Sequence, residues 1–393
     1  MKNSRAIRVT SKAFATLAEA AKDRAPVTGW THNFYRYPAR FSPQFAKAAI
    51  ELFSKPGDLV FDPYMGGGTA VVEGMIAGRR MIGNDLNSLA SFIAKSKITT
   101  LRAEDVAAIR SWATWKVPRF SYRSPYEGLA AYIDEQKTRN LTLSKARFIK
   151  KAMAAALATI DELPSKRAKN FARCAVLRVG QWALDGRERR TALPDFRDRL
   201  KTTTREMLIA LVGFAEQVRM VGGRATILNC DAKDIASADL FQDRKHRVAL
   251  VVTSPPYPGV HVLYHRWQVD GRRETPAPYW IAGCNDGQGG SFYNFADRRE
   301  EAADGYFDKS LATLKAIRAV TRDGGYMIQM VAFNRPGEQL PRYLDNMQAA
   351  GFAEVSIGSD GRIWRQVPGR KWHARQRGKT NSANEVVLVH RAV

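Results

Sequence analysis

The tightest constraint on the fold lies between Leu59 and Leu86. A short apolar run (LVFD) enters a glycine-rich turn, continues as a helix-compatible stretch (TAVVEGMIAG) and returns as a second apolar run (MIGND). Strand, helix and strand in that order predict a βαβ unit, and with it the opening of an α/β sheet. From about Ala103 to Met220 the period changes: LSKARFIKKAMAAALATIDEL, AKNFARCAVLRVGQWALDG and FRDRLKTTTREMLIALVGFAEQVRMV repeat apolar residues at three and four. Strand-like runs then resume at ATILNCDA, VALVVTSPPY, GYMIQMVAF, FAEVSIG and EVVLVHR. A structureless connection of that length would be improbable, so a doubly wound, mostly parallel sheet interrupted by a helical insertion is expected. The expected boundaries are a sheet core over 26–100 and 225–393 and an insertion over 101–224. The last strand is expected to turn back on its neighbour as an antiparallel hairpin.

Charge narrows the partners. The 393-residue chain carries 62 Lys and Arg against 38 Asp and Glu, a net +24 with a pI near 10.1. That is the footprint of a protein that meets a polyanion, nucleic acid first. Residues 94–225 hold 27 of the bases and 13 of the acids. The insertion, with Lys150 and Lys151 among its bases, reads either as a nucleic-acid arm or as a helical subdomain with solvated basic faces. No run of about 18 apolar residues offers a membrane span, and the N-terminus lacks an apolar leader core. A soluble, unprocessed, intracellular protein is expected. Cys174, Cys230 and Cys284 are too scattered for a disulfide framework or a zinc site, so no metal is expected.

Four strand tips carry the chemistry. Phe61-Asp62-Pro63-Tyr64-Met65-Gly66-Gly67-Gly68-Thr69 puts a carboxylate at the end of a buried strand and lets the backbone pass close to a nucleotide-like ligand, with a helix N-terminus behind it. It lacks the Gly-Lys-Ser/Thr of a phosphate loop and the Gly-x-Gly-x-x-Gly frame. Asp85 follows Asp62 by 23 residues, where a βαβ nucleoside site places the carboxylate that binds ribose hydroxyls. Asp231, after ILNC, is either a contact to an adenine amino group or a helix N-cap. The fourth tip is Thr253-Ser254-Pro255-Pro256-Tyr257, at the end of an apolar strand. Its prolines stiffen the turn and remove two donors, leaving an acceptor rim beside an aromatic ring. An exocyclic amine offers two N–H donors, which Ser254 Oγ and the Pro255 carbonyl can accept while Tyr257 stacks on the base.

These residues resemble the S-adenosylmethionine-dependent amino methyltransferases of DNA, which modify cytosine N4 or adenine N6. FDPYMGGGT is similar to that family's cofactor motif and TSPPY to its catalytic motif. His32-Asn33-Phe34-Tyr35-Arg36-Tyr37-Pro38-Ala39-Arg40-Phe41-Ser42-Pro43 resembles the segment that closes over the methionine part of the cofactor. Trp364-Arg365-Gln366-Val367-Pro368-Gly369-Arg370-Lys371-Trp372 is similar to a basic segment before the last strand. The resemblance implies a Rossmann-like class I methyltransferase sheet and S-adenosyl-L-methionine as cofactor. It assigns Asn33, Phe41, Pro43, Asp62, Pro63, Gly66, Gly68, Thr69, Asp85 and Asp231 to that cofactor, and Ser254, Pro255, Pro256 and Tyr257 to catalysis. Ser-Pro-Pro-Tyr is associated mainly with cytosine N4, where adenine enzymes usually carry Asp or Asn in place of Ser. A site-specific cytosine-N4 methyltransferase acting on a base flipped out of double-stranded DNA is therefore the leading reading. Cytosine C5 chemistry needs a thiolate that in its family follows a proline, and none of the three cysteines does.

Adenine N6 stays open, as do RNA amino methylation and a non-catalytic DNA-binding protein on the same fold. A cognate restriction endonuclease stays open as a partner, and a monomer and a homodimer are equally compatible. The resemblance places the protein in a prokaryotic or phage-type cytoplasm, on the nucleoid. Target reading falls either to the insertion or to 258–304, rich in Gly, Arg and aromatics. His261 and His265 share a helix-face spacing but lack a third ligand and read as surface or DNA-facing residues. The run from Arg362 to Lys379 interleaves bases with Trp364 and Trp372, a pattern that holds phosphates and unpaired bases.

Overall fold

A computed structural model describes residues 10–37, 41–121, 129–142, 146–187, 189–243, 247–258, 265–269, 273–287, 302–355, 362–366 and 384–393. In chain order the helices are α1 (Ser11–Lys22), α2 (Pro43–Phe53), α3 (Thr69–Ile76), α4 (Ser88–Ile98), α5 (Ala103–Ser111), α6 (Arg147–Ile160), α7 (Lys166–Leu184), α8 (Leu193–Val221), α9 (Asp239–Gln242), α10 (Ala277–Ala282), α11 (Ala302–Val320) and α12 (Pro336–Ala349). The strands are β1 (Leu59–Asp62), β2 (Arg80–Asn84), β3 (Arg224–Leu228), β4 (Val248–Thr253), β5 (Trp267–Val269), β6 (Arg273–Thr275), β7 (Thr321–Ala332), β8 (Phe352–Glu354), β9 (Ile363–Gln366) and β10 (Asn384–Ala392).

The main sheet runs β3-β2-β1-β4-β7-β10-β8, with β9 also on β10. β1 is parallel to β2 and β4, and β7 to β4, whereas β10 is antiparallel to β7, β8 and β9. This is an α/β, Rossmann-like sheet, mostly parallel with an antiparallel last strand. β8 and β10 are the expected returning pair, and β9, which the sequence presented only as a basic segment, pairs with the other half of β10.

Burial explains the strand sequences. Every residue of LVFD and VALVVT is buried, as a central parallel strand covered on both faces requires. Side chains alternate between two cores: Val60, Leu250, Val252, Ile328 and Val387 face one side, and Phe61, Val251, Met327 and Leu388 the other. The second side is closed by α11 and α12 residues such as Ile317, Leu340 and Tyr343. The first is closed by α2, α3 and α4 together with the helices of 101–224, because Phe171, Leu177, Leu208 and Phe214 belong to the same cluster as Val60. Gly180 of α7 is where Trp267 of β5 comes closest: a Cβ there would stand 2.7 Å from the indole. Upstream of 26, Leu17 and Ala21 of α1 join this core too. Among the described residues no helix is long and apolar enough to cross a membrane.

The chain winds outward from β1 in both directions, towards β2 and β3 on one side and β4 and β7 on the other. Between β1 and β4 lies the topological switch point, and the crevice beyond their carboxyl ends is where such sheets bind ligands.

Candidate active site

The glycine turn and the SPPY turn leave adjacent strands at that crevice. Thr253 Oγ1 donates to Asp62 Oδ1 at 2.7 Å, with both side chains buried. Tyr64 N donates to the same carboxylate at 3.2 Å. Burial pushes the Asp62 carboxyl up to about 7, against the pull of these two donors, and Asp85 pushes it further the same way. Asp85, half-buried at the tip of β2, accepts Gly66 N on Oδ2 at 2.9 Å and Asn87 N on Oδ1 at 2.8 Å. Loss of water raises its carboxyl to about 6.

Backbone geometry sets the glycine turn. Gly66 and Gly68 have φ of 48° and 74°, the left-handed region where a side chain costs roughly 1 kcal/mol. Gly67 is excluded from larger side chains by space, since a Cβ would lie 2.9 Å from Tyr37 Cβ. The fully buried Lys97 donates from Nζ to the Gly67 carbonyl at 2.5 Å. Pro63 occupies the start of the turn, and its carbonyl meets Asn84 Nδ2 at 3.4 Å. Asn84 also bonds the Cys230 backbone through both amide atoms, at 3.1 and 3.2 Å, which fastens the tips of β2 and β3 to the turn.

On the β4 side, Ser254 Oγ lies 3.1 Å from Tyr257 Oη, and Tyr257 Oη donates to Glu385 Oε1 at 2.9 Å. Tyr306 of α11 donates to the Pro256 carbonyl at 2.9 Å, fixing the second proline. Pro255 is buried beside them.

Tyr37 packs against the glycine turn, and residues 32–37 are gripped from behind by α7. Arg178 Nε donates to the Asn33 carbonyl at 3.2 Å, and Gln181 exchanges hydrogen bonds with the Arg36 backbone at 3.2 and 2.9 Å. Tyr35 Oη accepts from Trp267 Nε1 at 3.0 Å, and buried His32 Nε2 meets Glu73 Oε1 at 2.7 Å. Phe41 stacks edge-on with Phe45 at 5.6 Å, and Pro43 is the first residue of α2, which Ser42 caps. Residues 38–40 lie outside the described residues.

Other expectations resolve individually. Asp231 takes the N-cap reading: its Oδ1 accepts Lys233 N at 3.1 Å at the start of a short helical turn. Lys150 is no free basic arm, because it is buried and held by Glu135 at 3.3 Å. His265 is buried against Tyr279 rather than placed at the surface, and His261 lies outside the described residues. Trp364 is exposed, but Arg362 pairs with Glu354 and Arg365 with Glu385. Trp372 and the bases from Arg370 to Lys379 lie outside the described residues.

Residues 11–96 match the family model described as DNA methylase. Over 74 residues the chain is 42% identical to the Type II methyltransferase M.MvaI of Kocuria varians, covering 18% of this chain and 16% of that protein. Over 86 residues it is 34% identical to the Type II methyltransferase M.MjaII of Methanocaldococcus jannaschii, covering 22% and 15%. Over this part the chain is similar to DNA methylases. The chain spans about one-sixth of the length of these curated relatives. Among solved structures, TrmN from Thermus thermophilus aligns with 92% of this chain and 52% of its own at 12% identity and a TM-score of 0.35.

The similarity to DNA methylases implies S-adenosyl-L-methionine, and the residues fit it. Thr69 Oγ1, at the first turn of α3 behind the glycines, is buried with no hydrogen-bond partner among the described residues. A ligand carboxylate or hydroxyl at that turn would satisfy it. The carboxyls of Asp62 and Asp85, held high by lost water, suit a cation and a pair of ribose hydroxyls in turn.

Proposed function

We propose that this chain transfers a methyl group from S-adenosyl-L-methionine to the exocyclic N4 amine of cytosine in duplex DNA, with the base turned out of the helix into the crevice between the glycine turn and the SPPY turn. The observation that carries the reading is the Thr253–Asp62 hydrogen bond of 2.7 Å. It ties the amine-accepting tip to the cofactor turn in one cleft.

In this reading Asn33, Phe41 and Pro43 belong to the segment covering the cofactor. Asp62, Pro63, Gly66, Gly68 and Thr69 line it, and Asp85 binds its ribose; Asp231, occupied as a cap, closes that end. When bound, the cofactor supplies an electrophilic methyl on a sulfonium. Ser254 Oγ and the Pro255 carbonyl would accept the two amine N–H groups and so orient the nitrogen lone pair towards the cofactor side of the crevice. Pro256 stiffens the rim and Tyr257 stacks on the base. Positioning would supply most of the rate; as the N–C bond forms the S–C bond would break to leave a neutral thioether, and the proton of the methylated nitrogen would pass to water. A hydroxyl rather than a carboxylate at 254 favours cytosine over adenine.

DNA has a surface beside this crevice. A cavity of about 1260 Å³ opens next to Tyr37 and is lined by Arg24, Arg36, Arg178, Arg187 and Arg365 with Trp182 and Trp364. Burial and the nearby charges of Arg199 and Arg36 pull the Arg178 guanidinium down, so positive charge here is crowded. A phosphate backbone would relieve it. Arg178 and Arg187 come from 101–224, and this segment is the proposed DNA-binding part of the chain.

Digesting methylated duplex to nucleosides and identifying the product by mass tests the reading. N4-methylcytosine is expected; N6-methyladenine would overturn the base assignment, and preferential transfer to structured RNA the substrate. Calorimetry that finds no S-adenosylmethionine binding would overturn the enzyme reading itself.

A further inference from the structure

Glu385 opens β10 almost fully buried, opposite Arg365 in the β9–β10 register. Arg365 Nε donates to Glu385 Oε2 at 2.6 Å, while Oε1 accepts from Tyr257 Oη at 2.9 Å. The chain of contacts continues from Tyr257 Oη to Ser254 Oγ at 3.1 Å. We infer that Glu385 is a positioning residue that fixes the direction of this hydrogen-bond chain and thereby makes Ser254 a pure acceptor towards the target amine. The inference rests on the amine-methylation reading above.

The argument is one of proton counting. A carboxylate bound to a guanidinium has no proton to give, so the single phenolic proton of Tyr257 goes to Glu385. Tyr257 Oη can then meet Ser254 only as an acceptor, which commits the single serine proton to the tyrosine. Both remaining lone-pair directions of Ser254 Oγ are left for N–H donors. Without the carboxylate either hydroxyl is free to turn. A serine proton aimed at the incoming nitrogen would occupy the lone pair that must attack the methyl. Arg365 keeps the arrangement in place, since its Nη1 also donates to the Ala21 carbonyl of α1 at 3.0 Å.

The test is a double-substitution cycle on the full chain with cognate duplex. Glu385→Gln is expected to lower kcat about tenfold, the scale of one misdirected hydrogen bond, with KM for S-adenosylmethionine within twofold of wild type. In a Tyr257→Phe background the same change should add nothing, because the hydroxyl through which Glu385 acts is gone. Equal losses in both backgrounds, or an unchanged kcat, would overturn the inference. If Glu385→Gln alone does not fold, the pair Glu385→Gln with Arg365→Gln removes both buried charges together and carries the same comparison. Failure of the wild type to methylate DNA would instead overturn the parent reading.

Discussion

Thr253 and Asp62 stand at the tips of neighbouring parallel strands and share a hydrogen bond of 2.7 Å, the hydroxyl donating to the carboxylate. The bond joins the two loops that must face one ligand, and it holds down a carboxyl that burial pushes up to about 7. Thr253→Val keeps the shape and removes the donor, so the carboxyl should rise further. Affinity for S-adenosylmethionine at pH 7 is expected to fall about fivefold, the loss of ionised carboxylate when a group titrating at about 7 rises by about one pKa unit, and Thr253→Ser should restore it. Calorimetry on the three proteins decides this, and equal affinities would show that the bond does not couple the loops.

The raised carboxyls make the free protein sensitive to pH in a defined direction. Asp62 rises from 3.8 to about 7 and Asp85 from 3.8 to about 6. A carboxyl raised on folding contributes stability that is full below its unfolded pKa and is lost as pH climbs through the folded value. For this pair the loss runs from about pH 4 to pH 7. Asp62→Asn should therefore stabilise the free protein at pH 8, by on the order of a few kcal/mol, seen as a higher melting temperature, and much less at pH 4. Cofactor affinity of the wild type should increase over the same interval, with proton release visible as a dependence on buffer ionisation heat. A melting difference between Asp62→Asn and wild type that does not change between pH 4 and pH 8 would contradict the assignment.

Ser254→Ala removes one of two acceptors for the amine while leaving the glycine turn untouched. Turnover is expected to drop about 10²-fold, as when one preorganised partner is lost from a transition state, with cofactor affinity nearly intact. Single-turnover methylation and calorimetry on the same preparation separate these quantities. Unchanged turnover would refute the role of Ser254.

The two central motifs were readable because each is contiguous. FDPYMGGGT and TSPPY are both the last residues of a buried strand plus the turn beyond it, so strand pattern and chemistry coincide in one stretch. Asp85 was readable from spacing, since one crossover helix fixes where the next strand must end. Glu385 and Tyr306 were not, because a single acid in an apolar strand and a tyrosine in a helix carry no local signal; only the sheet order brings them to Tyr257 and Pro256. The grip of Arg178 and Gln181 on Asn33 and Arg36 spans 145 residues of sequence and was hidden for the same reason. Asp231 caps a helical turn through Oδ1, and sequence position alone does not distinguish a ligand carboxylate from a cap. Lys150 shows that charge counts ignore which base already has a buried carboxylate partner.

The crowded arginines beside the crevice lead to the last prediction. Arg24 and Arg36 line the cavity and are exposed, and neither is among the side chains that hold the fold's core. Each phosphate neutralised by such a group releases condensed counterions, so log affinity falls with log salt at about 0.9 per contact on duplex DNA. Arg24→Gln and Arg36→Gln should each weaken duplex binding at low salt and lower that slope by about 0.9, with S-adenosylmethionine affinity unchanged. Lys151, exposed on α6 away from the cavity lining, serves as the control, and Lys151→Gln should leave the slope as it is. Slopes measured by fluorescence anisotropy between about 50 and 200 mM salt would place the DNA elsewhere if the control moved and the two cavity variants did not.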